Sequence, residues 1–407
     1  LESMHASKPS SSTTYSHVSA PPAMPTTRQP RSRPSCPTTL PTAPEAADTT
    51  TTVGDTGTTE AGAEEPTTTA AGGEPTTTAG GQAPAGDTLA EVQSRGALNC
   101  GVNDAVPGFG FRDPDGNFSG FDIDFCKAVA AAVLGDPEAV EYVALNAQQR
   151  FTALQSGEID VLIRNTTWTS SRDGGEGATF AHTTFFDGQG MMVRAEDGFA
   201  SIDDMANTSI CSLTGTTTEQ NVTDRFGDVP FELLTFEDNE VLQQASLAGQ
   251  CDGWTSDKSQ LAGVRSNFPD SEGGPEALTI LDETFSKEPL GPVAPLGDDE
   301  WFNVIKWVVF ATIQAEEFGI DSTNVEEALN SADPSVLRFL GETPEGTDPF
   351  DSGLGLDPDW VVNVISQVGN YAEIYDRNLG PGTPFDLERG LNSLWTEGGL
   401  LYSPPYR

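Results

Sequence analysis

The stretch GFDIDFCKAVAAAVLG, beginning at Gly120 and ending at Gly135, reads as a turn glycine leading into a helix. It is preceded by the short apolar strand ALNCGV (97–102) and followed by the strand VEYVAL (140–145). Next come the helix QRFTALQSGEID (149–160) and the strand DVLIRN (160–165), with TLAEVQSRG (88–96) as an opening helix. Short strands alternating with amphipathic helices over short connections predict an α/β lobe with helices on both faces of its sheet.

A second run of the same texture follows: strand TSICSLTG (208–215), helix TEQNVTDRFG (218–227), strand FELLTF (231–236), helix NEVLQQASLAGQ (239–250) and strand CDGWTS (251–256). After KEPLGPVAPLG (287–297) the pattern turns helical. The stretch DDEWFNVIKWVVFATIQAEEFG (298–319) carries an apolar stripe at helical spacing, and Trp301, Phe302, Trp307 and Phe310 on it read as core facing a sheet. Further helices are expected in NVEEALNSA (324–332), PDWVVNVISQVGNYAEIYDRNLG (358–380) and LERGLNSLW (387–395). The chain thus leaves the second lobe and finishes on the first.

The first 86 residues differ in kind. They are Thr, Pro, Ser, Ala and Gly, with EEPTTTAAGGEPTTTAGG (64–81) as a crude repeat. So little apolar surface cannot offset ordering entropy, and a disordered tether is expected. The formal charge of −42, from 62 acidic and 20 basic residues, sets aside nucleic acid and anionic membrane surfaces as partners. No C-x-x-C pair occurs among the five cysteines, and with three histidines structural zinc is not expected. Two disulfides and one odd cysteine is the economical reading. The N-terminus has no apolar h-region, and RSRPSCPTT around Cys36 lacks the pattern of a lipidation site.

Several separated motifs, taken in order, closely resemble the family 3 bacterial extracellular solute-binding proteins. They are GFDIDFCKAVAAAV, RFTALQSGEIDVL, NTTWTSSRD, TGTTTEQ, CDGWTSDKSQL and the ending GNYAEIYDRNLGPGTPFDLERGLNSLWTEGGLLYSPPYR. Together they are similar to the general L-amino-acid-binding subgroup, across Asp87 to Arg407. The resemblance implies a type II periplasmic-binding-protein fold, two α/β lobes joined by two crossover strands. Residues 87–194 would form the first part of lobe 1, 195–287 lobe 2, and 288–407 the completion of lobe 1 with a C-terminal helical extension. It also implies a monomeric, extracytoplasmic protein, periplasmic or tethered at the cell surface, with a free L-amino acid and a membrane ABC permease as partners. No cofactor, metal or catalytic residue is expected.

The chemistry of such a ligand is independently legible. A free amino acid carries a carboxylate and an ammonium, and burying either without a partner costs several kcal/mol. Arg172, just after an apolar strand, can give a carboxylate two parallel hydrogen bonds; position alone reads it as a surface arginine at a helix start, whereas in the family the equivalent arginine grips the α-carboxylate. Asp257, beyond the strand CDGWTS, accepts the ammonium by the same resemblance, or alternatively caps the helix that follows. Thr216 and Thr217 open a helix after Gly215, where an anion is favoured, and the resemblance places Thr217 on the α-carboxylate; ordinary capping, with Glu219 or Gln220 in the first turn, is compatible with that role. Thr167, Thr169 and Asn165 precede Arg172 and offer hydroxyl and backbone contacts, with Arg164 beside them. Arg150 falls where acidic-amino-acid binders of the family place a side-chain-reading arginine, or is a solvated helix residue. The turn NDAVPGFGF (103–111) has Val106 where many members stack an aromatic ring; Phe109 or Phe111 could substitute, or belong to the core.

Cys100, on the first strand, and Cys126, on the helix after it, could face each other, as could Cys211 and Cys251 in the second lobe. Bridges of that kind stay within a lobe and leave hinge motion free. Crossovers are expected near Val193 to Glu196 and Lys287 to Leu290. The expected function is capture by hinge closure, with delivery to a permease. The competitors are a same-fold enzyme resembling cyclohexadienyl or arogenate dehydratase, for which His182 is the one histidine near a motif, and a sensory amino-acid-binding module.

Overall fold

The computed structural model describes residues 86–343 and 350–407. The expected tether, up to residue 85, and Cys36 lie outside the described residues. Among the described residues, two five-stranded sheets organise the chain. In the first the strand order is Val140–Ala144, Leu98–Val102, Val161–Leu162, Val293–Pro295, Ala178–Phe180. In the second it is Glu232–Phe236, Ser209–Leu213, Gly253–Asp257, Gln189–Arg194, Leu278–Ile280.

The two sheets share one plan. Three neighbouring strands are parallel, joined by helices, and the fourth in order is antiparallel to both its neighbours. That fourth strand is the one each crossover delivers. Phe185–Asp187 leads into Gln189–Arg194 of the second sheet, Glu288–Leu290 leads back into Val293–Pro295 of the first, and the two crossing segments pair antiparallel with Asp187 opposite Glu288. This is the expected type II architecture of two α/β lobes on a two-stranded connection. The first crossover does not fall at Val193 to Glu196, however. Val193 pairs with Gly253 inside the second sheet, and the chain changes lobes earlier, at Phe185–Asp187. The polar loop after Arg194 looks like a boundary in sequence, whereas the buried run that precedes it is already an inner strand of the second lobe.

The opening motif behaves as its residues require. Gly120 has φ 130°, and a Cβ there would lie 2.2 Å from the carbonyl oxygen of Phe109, so only glycine admits the turn. Helix Phe121–Leu134 then packs against both Asp299–Phe318 and Trp360–Gln367, which is why its apolar residues cover more than one face. Trp301 is fully buried, and its indole N–H donates to Asp160 O at 2.8 Å, while Phe302, Trp307 and Phe310 join the same core. The expected helix over 387–395 is absent. Gly390, at φ 50°, opens a single 3-10 turn, Gly390–Asn392, and a second turn follows at Trp395–Glu397.

Cys100 and Cys126 form one disulfide and Cys211 and Cys251 another, with Cα separations of 6.2 and 5.7 Å. Each closes a contact inside one lobe. Cys251 precedes strand Gly253–Asp257 rather than lying on it.

Candidate functional site

The parallel strands of both sheets end toward a common cleft, where α/β proteins place their ligand sites. Lobe 1 contributes the segment after strand Val161–Leu162 and the start of helix Arg150–Ser156; lobe 2 contributes the start of helix Thr217–Phe226 and the end of strand Gly253–Asp257. Arg150, Arg164, Asn165, Thr167, Arg172, Thr216, Thr217, Ser256, Asp257 and Gln260 line one small cavity between them.

The segment entering the cleft is anchored from below. Asp122, buried in helix Phe121–Leu134, accepts the backbone N–H of Asn165 at 2.7 Å. Asn165 sits at φ 28°, a conformation that a non-glycine residue adopts only where its surroundings enforce it. Thr169 accepts the N–H of Arg172 at 3.3 Å and caps helix Ser170–Gly175. Thr169 therefore orients Arg172 and does not itself line the cavity.

Three arginines converge. Arg172 donates to Thr167 O at 2.9 Å and Arg150 to Thr166 Oγ1 at 3.4 Å. Their guanidinium carbons lie 5.7 and 5.2 Å from the ring of Phe151. Arg150 is 3% exposed, so the solvated-helix reading is overturned: it is the first residue of its helix and projects inward. Nε of Arg150 and Nε of Arg164 have no protein partner. Desolvation pushes the affinity of all three for protons down, that of Arg164 to about 10. The neighbouring guanidiniums of Arg172 and Arg164 add to the effect on Arg150.

Opposite them stands an acidic group. Asp257 is buried at the start of helix Lys258–Ser266, makes no side-chain cap hydrogen bond there, and its Oδ1 has no partner. The capping alternative is thereby excluded in this conformation. Burial, then the charges of Asp187 and Glu288, hold its carboxyl well above the ordinary range, and burial pushes Asp187 up to about 6.

Glu288 was not singled out in the sequence. It is 1% exposed on the second crossover and accepts from Thr217 Oγ1 at 2.8 Å, Asn221 Nδ2 at 2.8 Å and Ser286 Oγ. The backbone N–H groups of Thr217 and Thr218, in the first turn of this helix, have no intrahelical acceptor. Thr216 caps the same helix, accepting from Glu219 N at 3.1 Å. Gln260 and Ser256 were also unassigned; they bond each other at 3.0 Å. No local signal marks Glu288, in a Pro- and Gly-rich stretch, as part of a site.

Phe109 is not brought to the cleft. It is 1% exposed in the lobe 1 core, with ring centroids 5.9 Å from Phe121 and 5.1 Å from Phe185. Its strand-end turn points it inward against the helix that follows, and Phe111 lies at the surface. His182 is likewise elsewhere, packed 4.6 Å from Phe310 with its imidazole pushed down to about 4 by burial.

Residues 98–381 match the family described as bacterial extracellular solute-binding proteins, family 3. The chain is 48% identical over 330 residues to the general L-amino acid-binding periplasmic protein AapJ of Rhizobium johnstonii, covering 80% of this chain and 94% of that protein. It is 44% identical over 328 residues to the glutamate/glutamine/aspartate/asparagine-binding protein BztA of Rhodobacter capsulatus, covering 80% and 95%. Among solved structures, a periplasmic binding protein of an ABC transporter from Brucella ovis, with glutathione bound, superposes with a TM-score of 0.75. It shares 45% identity and covers 79% of this chain and 99% of that one.

Proposed function

Because this chain belongs to the bacterial extracellular solute-binding proteins of family 3, we propose that it captures free L-amino acids outside the cytoplasm and delivers them to an ABC permease. The observation that carries this reading is the pairing of an unpartnered carboxylate oxygen on Asp257 with three inward-facing arginines in one cleft. A zwitterion answers both at once: the α-ammonium goes to Asp257, and the α-carboxylate to Arg172 and the first-turn N–H groups of helix Thr217–Phe226. Arg150 and Arg164 remain for side-chain acceptors. The ligands named for the relatives, dicarboxylic and amide amino acids and glutathione, all present a free α-amino and α-carboxylate group.

The clamp residues come from both lobes, so the lobes part for entry and close around the ligand. Closure by bending of two crossovers, selecting the form that the permease reads, is the mechanism of this proposal. No bond is made or broken. The relatives named are described as binding proteins, the Brucella ovis one with an ABC transporter, which supports capture over dehydratase chemistry, and two intralobe disulfides fit an oxidising, extracytoplasmic setting. We also assign it a monomeric state, with lobe 1 built from both ends of the described chain.

The deciding experiment is a calorimetric screen of the twenty amino acids and glutathione against the purified protein. Micromolar or tighter binding of at least one is expected. Absence of binding across the whole panel would overturn the reading.

A further inference from the structure

The ribbon joining the lobes carries a contact that ligand recognition does not use. Phe186 faces Pro289 across it, and proline has no N–H to donate. The N–H and C=O of Phe186 point to the outer edge, where a two-stranded ribbon leaves its polar groups bare. There one side chain takes both: Phe186 N donates to Asn392 Oδ1 at 2.7 Å, and Asn392 Nδ2 donates to Phe186 O at 3.2 Å. A carboxamide offers the donor and acceptor layout of a peptide group, so Asn392 acts as one link of a third strand.

Asn392 is itself held rigidly. It is 4% exposed, and Arg389 Nε donates to its backbone carbonyl oxygen at 2.8 Å. Arg389 also reaches both carboxylate oxygens of Glu316, on helix Asp299–Phe318, at 3.1 Å each. Its guanidinium carbon lies 5.0 Å from the rings of Tyr371 and of Tyr375. Tyr371 Oη in turn donates to Thr184 O at 2.7 Å. Thr184 and Phe186 are therefore tied to lobe 1. The next residues are tied to lobe 2 instead, since Asp187 Oδ2 accepts from Ser259 N at 3.2 Å and Gly188 O from Lys258 N at 3.0 Å.

We propose that Asn392 is a positioning residue for closure. It pins the first crossover to lobe 1 at Phe186, confining the bend to the linkage between Phe186 and Gly188 and narrowing the range of open arrangements. Hinges of this kind act through a few residues that absorb the backbone change. The inference rests on the two-lobed fold and deepens the capture reading without depending on which ligand binds.

The test compares the intact protein with Asn392→Ala, using single-pair fluorescence transfer between dyes on unnatural amino acids at Glu141 and Glu232. Both are exposed, each on an edge strand of one sheet. The ligand-free distance distribution is expected to broaden. Affinity should weaken by one common factor, roughly three- to tenfold, for every amino acid bound, because a smaller share of molecules is poised to close. If Asn392→Ala fails to fold, Arg389→Lys, which keeps the charge but loses the planar Nε donor, is expected to broaden the distribution to a lesser degree. A folded variant with the intact protein's distribution overturns the proposal, even if its melting temperature falls. If the calorimetric screen finds no ligand, the ligand-free distribution still decides for or against the pin.

Discussion

The hydroxyls of Thr167 and Thr217, one from each lobe, meet across the cleft at 3.3 Å. Thr217 gives its proton to Glu288, so Thr167 is the donor in this contact. The pair thus bridges lobe 1, lobe 2 and the second crossover. Thr217→Val would leave the buried Glu288 short of one donor, a loss of about 1–3 kcal/mol. Expected outcomes are a lower melting temperature and amino-acid affinity weakened by roughly tenfold, a loss of about 1.4 kcal/mol, with Thr217→Ser close to the parent protein. Unchanged melting and affinity in Thr217→Val would show that the bridge contributes nothing.

Asp257→Asn keeps shape and removes charge. Truncating one partner of a desolvated charge pair costs about 2–5 kcal/mol, so calorimetry should find amino-acid affinity reduced by roughly 30-fold or more. Parent-like affinity in a folded Asp257→Asn protein would remove the ammonium from this residue.

The same carboxyls make binding and stability respond oppositely to pH. Burial raises Asp122 and Asp187 from 3.8 to about 6, and burial together with the charges of Asp187 and Glu288 holds Asp257 well above 3.8. Between 3.8 and about 6 the folded, ligand-free protein holds more protons than the unfolded chain, so these groups lower its stability as pH rises through that window. Ammonium binding needs an ionised Asp257, so affinity should instead rise with pH. Denaturant midpoints and calorimetry from pH 4 to 8 check both slopes, and parallel slopes would contradict the assignment.

Arg172→Lys retains charge and loses the two-pronged geometry, and it should weaken binding for every amino acid alike. Arg150→Ala should change the ranking among ligands, lowering affinity for acidic and amide side chains more than for aliphatic ones. A competition panel separates the two. Equal losses for all ligands in Arg150→Ala would place Arg150 on the α-carboxylate instead.

Replacing both Cys211 and Cys251 by serine removes a bridge spanning 40 residues. Chain-entropy reasoning expects a stability loss of about 2–4 kcal/mol. Because that bridge lies within lobe 2, affinity at 25 °C should change less than twofold; a larger change would mean that the bridge shapes the cleft.

Much of this was legible from local pattern. Alternating apolar runs and turn glycines specify the parallel strands and helices of both lobes, because period and turn chemistry act over a few residues. Arg172 and Asp257 are legible through the family resemblance of NTTWTSSRD and CDGWTSDKSQL; position alone reads them as a surface arginine at a helix start and a helix cap. The aromatic stripe on 298–319 declares itself as core by spacing alone.

What only the tertiary structure decided are the contacts between segments far apart in sequence. Glu288 meets Thr217 across 71 residues, and Asn392 meets Phe186 across 206. Phe109 turns into the core, Thr169 turns to its helix cap, and Gln189–Arg194 joins the second sheet ahead of the apparent boundary. Side-chain direction and strand order depend on which distant surfaces pack together and which buried donors find acceptors. Neither is encoded in any short window, so the sequence by itself determined the lobes and the two charges of the clamp, and the packed chain determined where it bends and what surrounds those charges.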